Sequence, residues 1–90
     1  EALQTAAEQQ GFTPHTARQL ALNTFKGAIA LAEHSQDSLE QLRLNVTSKG
    51  GTTEQGVLAL QQGQVPASIH QAVAAATYRA KQMGDEMGAS

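Results

Sequence analysis

Between Asn45 and Thr53 the chain reads Asn-Val-Thr-Ser-Lys-Gly-Gly-Thr-Thr and leads directly into an amphipathic stretch. Two adjacent glycines, Gly50 and Gly51, stand among the hydroxyls of Ser48, Thr52 and Thr53. Glycine allows positive φ and lets a ligand come close to the main chain. The first N–H groups of a helix have no intrahelical acceptor, and the helix dipole adds partial positive charge beside them. Such a loop can hold a carboxylate or phosphate. The donors expected here are the amides of Gly51, Thr52 and Thr53, helped by the three hydroxyls. The same residues also read as a plain helix-to-helix turn, with Thr52 an ordinary cap and Ser48 solvated. A nucleotide loop of Gly-x-x-x-x-Gly-Lys-Ser/Thr order does not match, because Lys49 precedes the glycines and no strand leads in.

Other reactive side chains are scattered. His15, His34 and His70 lack the i, i+3 or i+4 pairing of metal ligands on one helix, so no metal site is expected. There is no cysteine, which excludes a disulfide framework and a thiolate site. Asn45-Val46-Thr47 has the form of a glycosylation acceptor, but no secretory feature accompanies it. Glu54 suits the first turn of a helix through the dipole. Met83 and Met87 read as gap-fillers of a helix interface. Arg43 and Arg79 read as exposed helix charges or as partners of carboxylates across a dimer.

Composition narrows the class. A net charge of −2 with six Lys/Arg opposes a nucleic-acid surface. No apolar run approaches the roughly 20 residues of a membrane span, and no signal-like segment opens the chain. The first helix begins at Glu1 without a capping residue, so preceding sequence is expected. A soluble, cytoplasmic location follows as the expectation. Aromatics are limited to Phe12, Phe25 and Tyr78, while alanine is abundant. So thin a core leaves a domain of this size marginal, and an identical chain or another domain is expected to cover it.

Helix signals dominate the pattern. A first helix from Glu1 to about Gln10 stops at Gly11. Thr13-Pro14 then reads as a cap followed by proline at the first helical position, with Phe12 placed to staple onto Ala17. The second helix runs from Pro14 to about His34. Ala17, Phe25 and Ala28 lie on one row, and Leu22 and Ile29 on a second, so two faces need cover. Gly27 suits a close crossing, although an interior glycine costs about 1 kcal/mol. Ser38-Leu39-Glu40-Gln41 has capping-box form and starts a short helix with Leu39, Leu42 and Val46. Thr52-Thr53-Glu54-Gln55 has it again and starts a helix that ends at Gly63. A last helix from near Pro66 carries Ile69, Val73, Ala76, Ala80, Met83 and Met87 as one stripe. The fold class is all-α, with five helices.

Val46-Thr47-Ser48-Lys49-Gly50-Gly51-Thr52-Thr53 resembles the signature of pyrroline-5-carboxylate reductase. The likeness runs on through Gly11-Phe12, Lys26-Gly27-Ala28, Leu42-Arg43, Ala74-Ala75-Ala76 and Arg79-Ala80, over nearly the whole chain. It implies that residues 1–90 are a C-terminal dimerisation and substrate-binding domain, intertwined with a second copy, in a homodimer or higher oligomer. The N-terminal Rossmann domain of that family, which holds most of the NADPH or NADH, has no counterpart here, since no Gly-x-Gly-x-x-Gly follows a strand. The family's Gly-Ser-Gly-Pro-Ala-Tyr segment would precede Glu1.

The implied reaction is reduction of the ring C=N of 1-pyrroline-5-carboxylate to L-proline. By motif, the amides of Thr52 and Thr53 and the Ser48 hydroxyl grip the substrate carboxylate. The Thr53 hydroxyl bonds the ring nitrogen and orients proton transfer, while Asn45 and Val46 line the dinucleotide end of the cleft. Lys49 departs from the proline common at its place, and its side chain is expected to be solvated. Joined to a nucleotide domain the chain serves a reductase; alone it is expected to be inactive. The alternative is a non-catalytic helical oligomerisation module whose glycine loop is only a turn.

Overall fold

The computed structural model describes residues 1–89. Among them lie five helices, α1 (Ala2–Gln9), α2 (Pro14–Glu33), α3 (Leu39–Asn45), α4 (Thr52–Gln62) and α5 (Val65–Ala89). The expectation of an all-α chain with five helices holds. The helices fall into two compact units, Glu1–Asn45 and Val46–Ser90.

In the first unit, α1 closes at Gly11, whose φ of +104° only glycine takes at little cost. The Gly11 N–H donates to the Glu8 carbonyl at 3.0 Å and the Phe12 N–H to the Ala7 carbonyl at 3.3 Å. These are the two bonds of a Schellman closure, and they turn the chain back toward α2. Thr13 caps α2 through its hydroxyl, which accepts the Thr16 N–H at 3.3 Å, and Pro14 follows at the first turn. α1 packs on α2, and Gln4 Nε2 donates to the Pro14 carbonyl at 3.4 Å. Ala17, on α2, is fully buried and supplies the unit's whole core among the described residues. A cleft of about 260 Å³ opens between the two helices, lined by Leu3, Ala7, Phe12, Leu20 and Ala21. The rest of α2 is left open: Leu22, Phe25 and Ile29 are all more than half exposed.

Beyond α2 the Ser35 hydroxyl accepts the Asp37 N–H at 3.1 Å, making a compact break before α3. Ser38 caps α3 by accepting the Gln41 N–H at 3.1 Å, as its sequence position predicts. Val46, expected on this helix, lies in the turn after it.

In the second unit α4 packs on α5 through a tight connection. The expected glycine stop differs in detail. Gly63 has φ −79°, and the left-handed residue is Gln64 at φ +58°. A Cβ on Gly63 would lie 3.3 Å from the Ala59 carbonyl oxygen, so glycine serves close approach there. Gln64 therefore carries the strained backbone, and α5 starts at Val65, one residue before the proline. Pro66 sits in the first turn, where a missing N–H leaves no helical bond unmade. Left-handed backbone costs a non-glycine residue about 1–2 kcal/mol, part of which glycine returns as chain entropy. Gln64→Gly should therefore raise stability by up to about 1 kcal/mol in chemical denaturation.

None of the described residues of α5 is buried. Ile69, Val73 and Met83, from the stripe read in the sequence, are each about half exposed or more, with Val73 62% exposed. Arg79 pairs with Glu86 two turns along the same helix at 3.4 Å, both well exposed, so the pair adds little. No described helix is long and apolar enough to cross a membrane.

Candidate functional site

The loop between α3 and α4 is built by its own backbone bonds. Gly50 takes φ +76°, and the Gly51 N–H turns back to donate to the Ser48 carbonyl at 2.9 Å. Gly51 is half-buried, and a Cβ there would lie 3.1 Å from that same carbonyl oxygen. The double glycine thus serves two needs, a left-handed residue and then a close approach.

α4 begins differently from the capping box read in the sequence. Gly51, not Thr52, is its cap, with extended backbone and no side chain to cap with. Its carbonyl takes the first helical bond, from the Gln55 N–H at 3.3 Å, which puts Thr52 inside the helix. The side-chain arm shifts accordingly from Gln55 to Glu54. Glu54 Oε1 accepts the Gly50 N–H at 3.1 Å. In a capping box that arm takes the N–H of the cap residue itself. Here the cap's N–H is already held by Ser48, so Glu54 takes the one before it. Sequence reasoning assigned Glu54 to the helix dipole alone. The signal for its clasp was a glutamate three residues after the second glycine.

Four successive amides are thereby sorted. That of Gly50 is bonded to Glu54 and that of Gly51 to Ser48, whereas those of Thr52 and Thr53 have no acceptor among the described residues. The three-amide cradle expected from the sequence reduces to two, with Gly51 contributing its bare Cα. Ser48, Thr52 and Thr53 are exposed on this loop and the first turn after it, and the exposed Lys49 adds a positive charge on the same loop. Unpaired helix-start amides favour a small anion.

Asn45 closes α3, and its Oδ1 accepts from Gln41 Nε2 at 2.8 Å, leaving the amide hydrogens as its donors. Val46 is 55% exposed. No group of three His, Asp or Glu among the described residues is placed to hold a metal ion.

Residues 1–83 match the family model described as pyrroline-5-carboxylate reductase dimerisation. Pyrroline-5-carboxylate reductase of Pseudomonas aeruginosa is 34% identical over 88 residues, covering 98% of this chain and 32% of that protein. Pyrroline-5-carboxylate reductase 3 of Xenopus laevis is 38% identical over 84 residues, covering 93% of this chain and 31% of that protein. The crystal structure of Plasmodium falciparum pyrroline carboxylate reductase with NADP bound superposes with a TM-score of 0.87. It is 30% identical and covers 92% of this chain and 33% of that one. The chain thus spans about a third of the length of the relatives it matches.

Proposed function

The chain belongs to the pyrroline-5-carboxylate reductase dimerisation family, and on that premise we propose that it is the dimerisation and substrate-binding part of such a reductase. In this reading residues 1–90 are one functional domain, a second copy of which supplies the cover its apolar faces lack. The N-terminal nucleotide domain provides most of the NADPH or NADH site, and Asn45 and Val46 touch only its edge. When bound, that cofactor supplies the hydride for the C=N bond of 1-pyrroline-5-carboxylate.

This chain's own residues bind and orient the substrate. The amides of Thr52 and Thr53 grip the carboxylate at the positive end of α4, and the Ser48 hydroxyl donates a further bond. Gly50 and Gly51 let the backbone reach it. The Thr53 hydroxyl bonds the ring nitrogen and holds the path of the proton, which solvent supplies. The observation that carries the reading is the pair of unbonded amides at Thr52 and Thr53, within the stretch that matches the family.

Proline, the product, tests it by thermal stabilisation of the protein that joins this chain to its nucleotide domain. A ligand at a hundred times its Kd stabilises by roughly 2.7 kcal/mol. The shift is expected in the parent and should shrink or vanish in Ser48→Ala. Equal shifts in both proteins would leave the loop a simple turn, and the chain a non-catalytic oligomerisation module.

A further inference from the structure

Resting on the reading of this loop as a carboxylate cradle, we propose that Glu54 is a positioning residue for substrate binding, holding the glycine loop in its binding form through the Gly50 amide. Glu54 is half-buried at the start of α4, and its Oε1 lies 3.1 Å from the Gly50 nitrogen. A carboxylate acceptor makes this bond about twice as strong as a neutral one. Gly50 is the loop's pivot, left-handed at φ +76°, and open space surrounds the place of its missing Cβ, so packing does not hold it. The Gly51 N–H bond to Ser48 and the Glu54 clasp fix two consecutive amides, and the next two are the free donors.

Removing the clasp lets two adjacent glycines sample many backbone states. The substrate must then select the competent one, and apparent affinity falls by the fraction of time that state is occupied. The groups that meet the ring nitrogen are unchanged, so the loss belongs in KM and not in kcat. Glu54→Gln separates the hydrogen bond from the charge. Its carboxamide oxygen accepts the same N–H, and one negative charge leaves the neighbourhood of an anion.

Steady-state kinetics with 1-pyrroline-5-carboxylate, in the protein joined to its nucleotide domain, read the effect. Glu54→Ala should raise KM roughly tenfold with kcat within about twofold, and Glu54→Gln should keep KM at or below the parent value. An unchanged KM in Glu54→Ala, beside a raised one in Ser48→Ala, overturns the clasp and leaves the cradle standing. Equal damage from Glu54→Ala and Glu54→Gln also overturns it, because the hydrogen bond is then not what matters. If Ser48→Ala leaves binding untouched, the cradle itself fails and this inference with it. Should Glu54→Ala not fold, hydrogen exchange at the Gly50 amide of the parent decides. Protection supports the clasp, and free exchange refutes it.

Discussion

In solution the chain will sediment at about twice its 9.4 kDa mass, and Val73→Glu will abolish that species. The reason is the shortage of interior. Ala17 is the single buried residue among those described, and one alanine cannot offset the ordering of a whole domain. Meanwhile Leu22, Phe25 and Ile29 on α2, and Ile69, Val73 and Met83 on α5, stay about half exposed or more. Each such side chain contributes about 1.5–3 kcal/mol when it is fully covered. On the proposed reading a second copy covers these faces.

Val73→Glu separates the possibilities sharply. In a lone chain Val73 is 62% exposed, and a surface substitution there would change stability by no more than about 0.5 kcal/mol. At an interface the same change leaves a charge without a partner and without water. Dimer affinity should then fall by more than about a hundredfold, or some 3 kcal/mol. Because the core forms only on pairing, dissociation and unfolding should coincide, and the melting temperature should rise with protein concentration. Sedimentation equilibrium and melts over a hundredfold concentration range check both points. A monomeric mass with a concentration-independent melt would end the dimer reading.

The elements that were legible in the sequence are those fixed by neighbours in the chain. Gly11 ends α1, Thr13-Pro14 opens α2 and Ser38 opens α3, each because a local residue satisfies a local backbone group. The start of α4 differs by one residue from its sequence pattern for a related reason. Thr52 has the right side chain for a cap, but the cap is whichever residue's carbonyl takes the first helical bond, and that is Gly51. Gln64 was invisible because left-handed backbone is expected at glycine, and the neighbouring glycine is needed for clearance from Ala59. The apolar stripes of α2 and α5 were plain from their spacing. What covers them was not, since periodicity reports an amphipathic face and not its partner. The loop signature was readable because it is contiguous. The Glu54 clasp was not, because it depends on the Gly51 amide being already occupied.

Thr53→Ala should lower kcat by more than tenfold while shifting KM little. Thr53 sits one residue inside α4 and is exposed, so its hydroxyl can be lost without disturbing packing. Its amide stays in place in the alanine variant, and on the proposed reading the carboxylate grip through Thr52, Thr53 and Ser48 stays with it. What that reading removes is the hydrogen bond to the ring nitrogen. That nitrogen gains basicity as the C=N bond is reduced, so a bond to it strengthens toward the transition state and acts on turnover. A threonine hydroxyl is a weak acid, which is why its part is to orient the proton that solvent delivers. Positioned proton transfer contributes about 10²–10⁴-fold in general, and losing orientation alone should forfeit the lower part of that range. Thr53→Ser keeps the hydroxyl and should recover most of the rate, whereas Ser48→Ala should act on KM instead. Near-parental kcat in Thr53→Ala would remove this hydroxyl from the chemistry and leave residue 53 as an amide donor only.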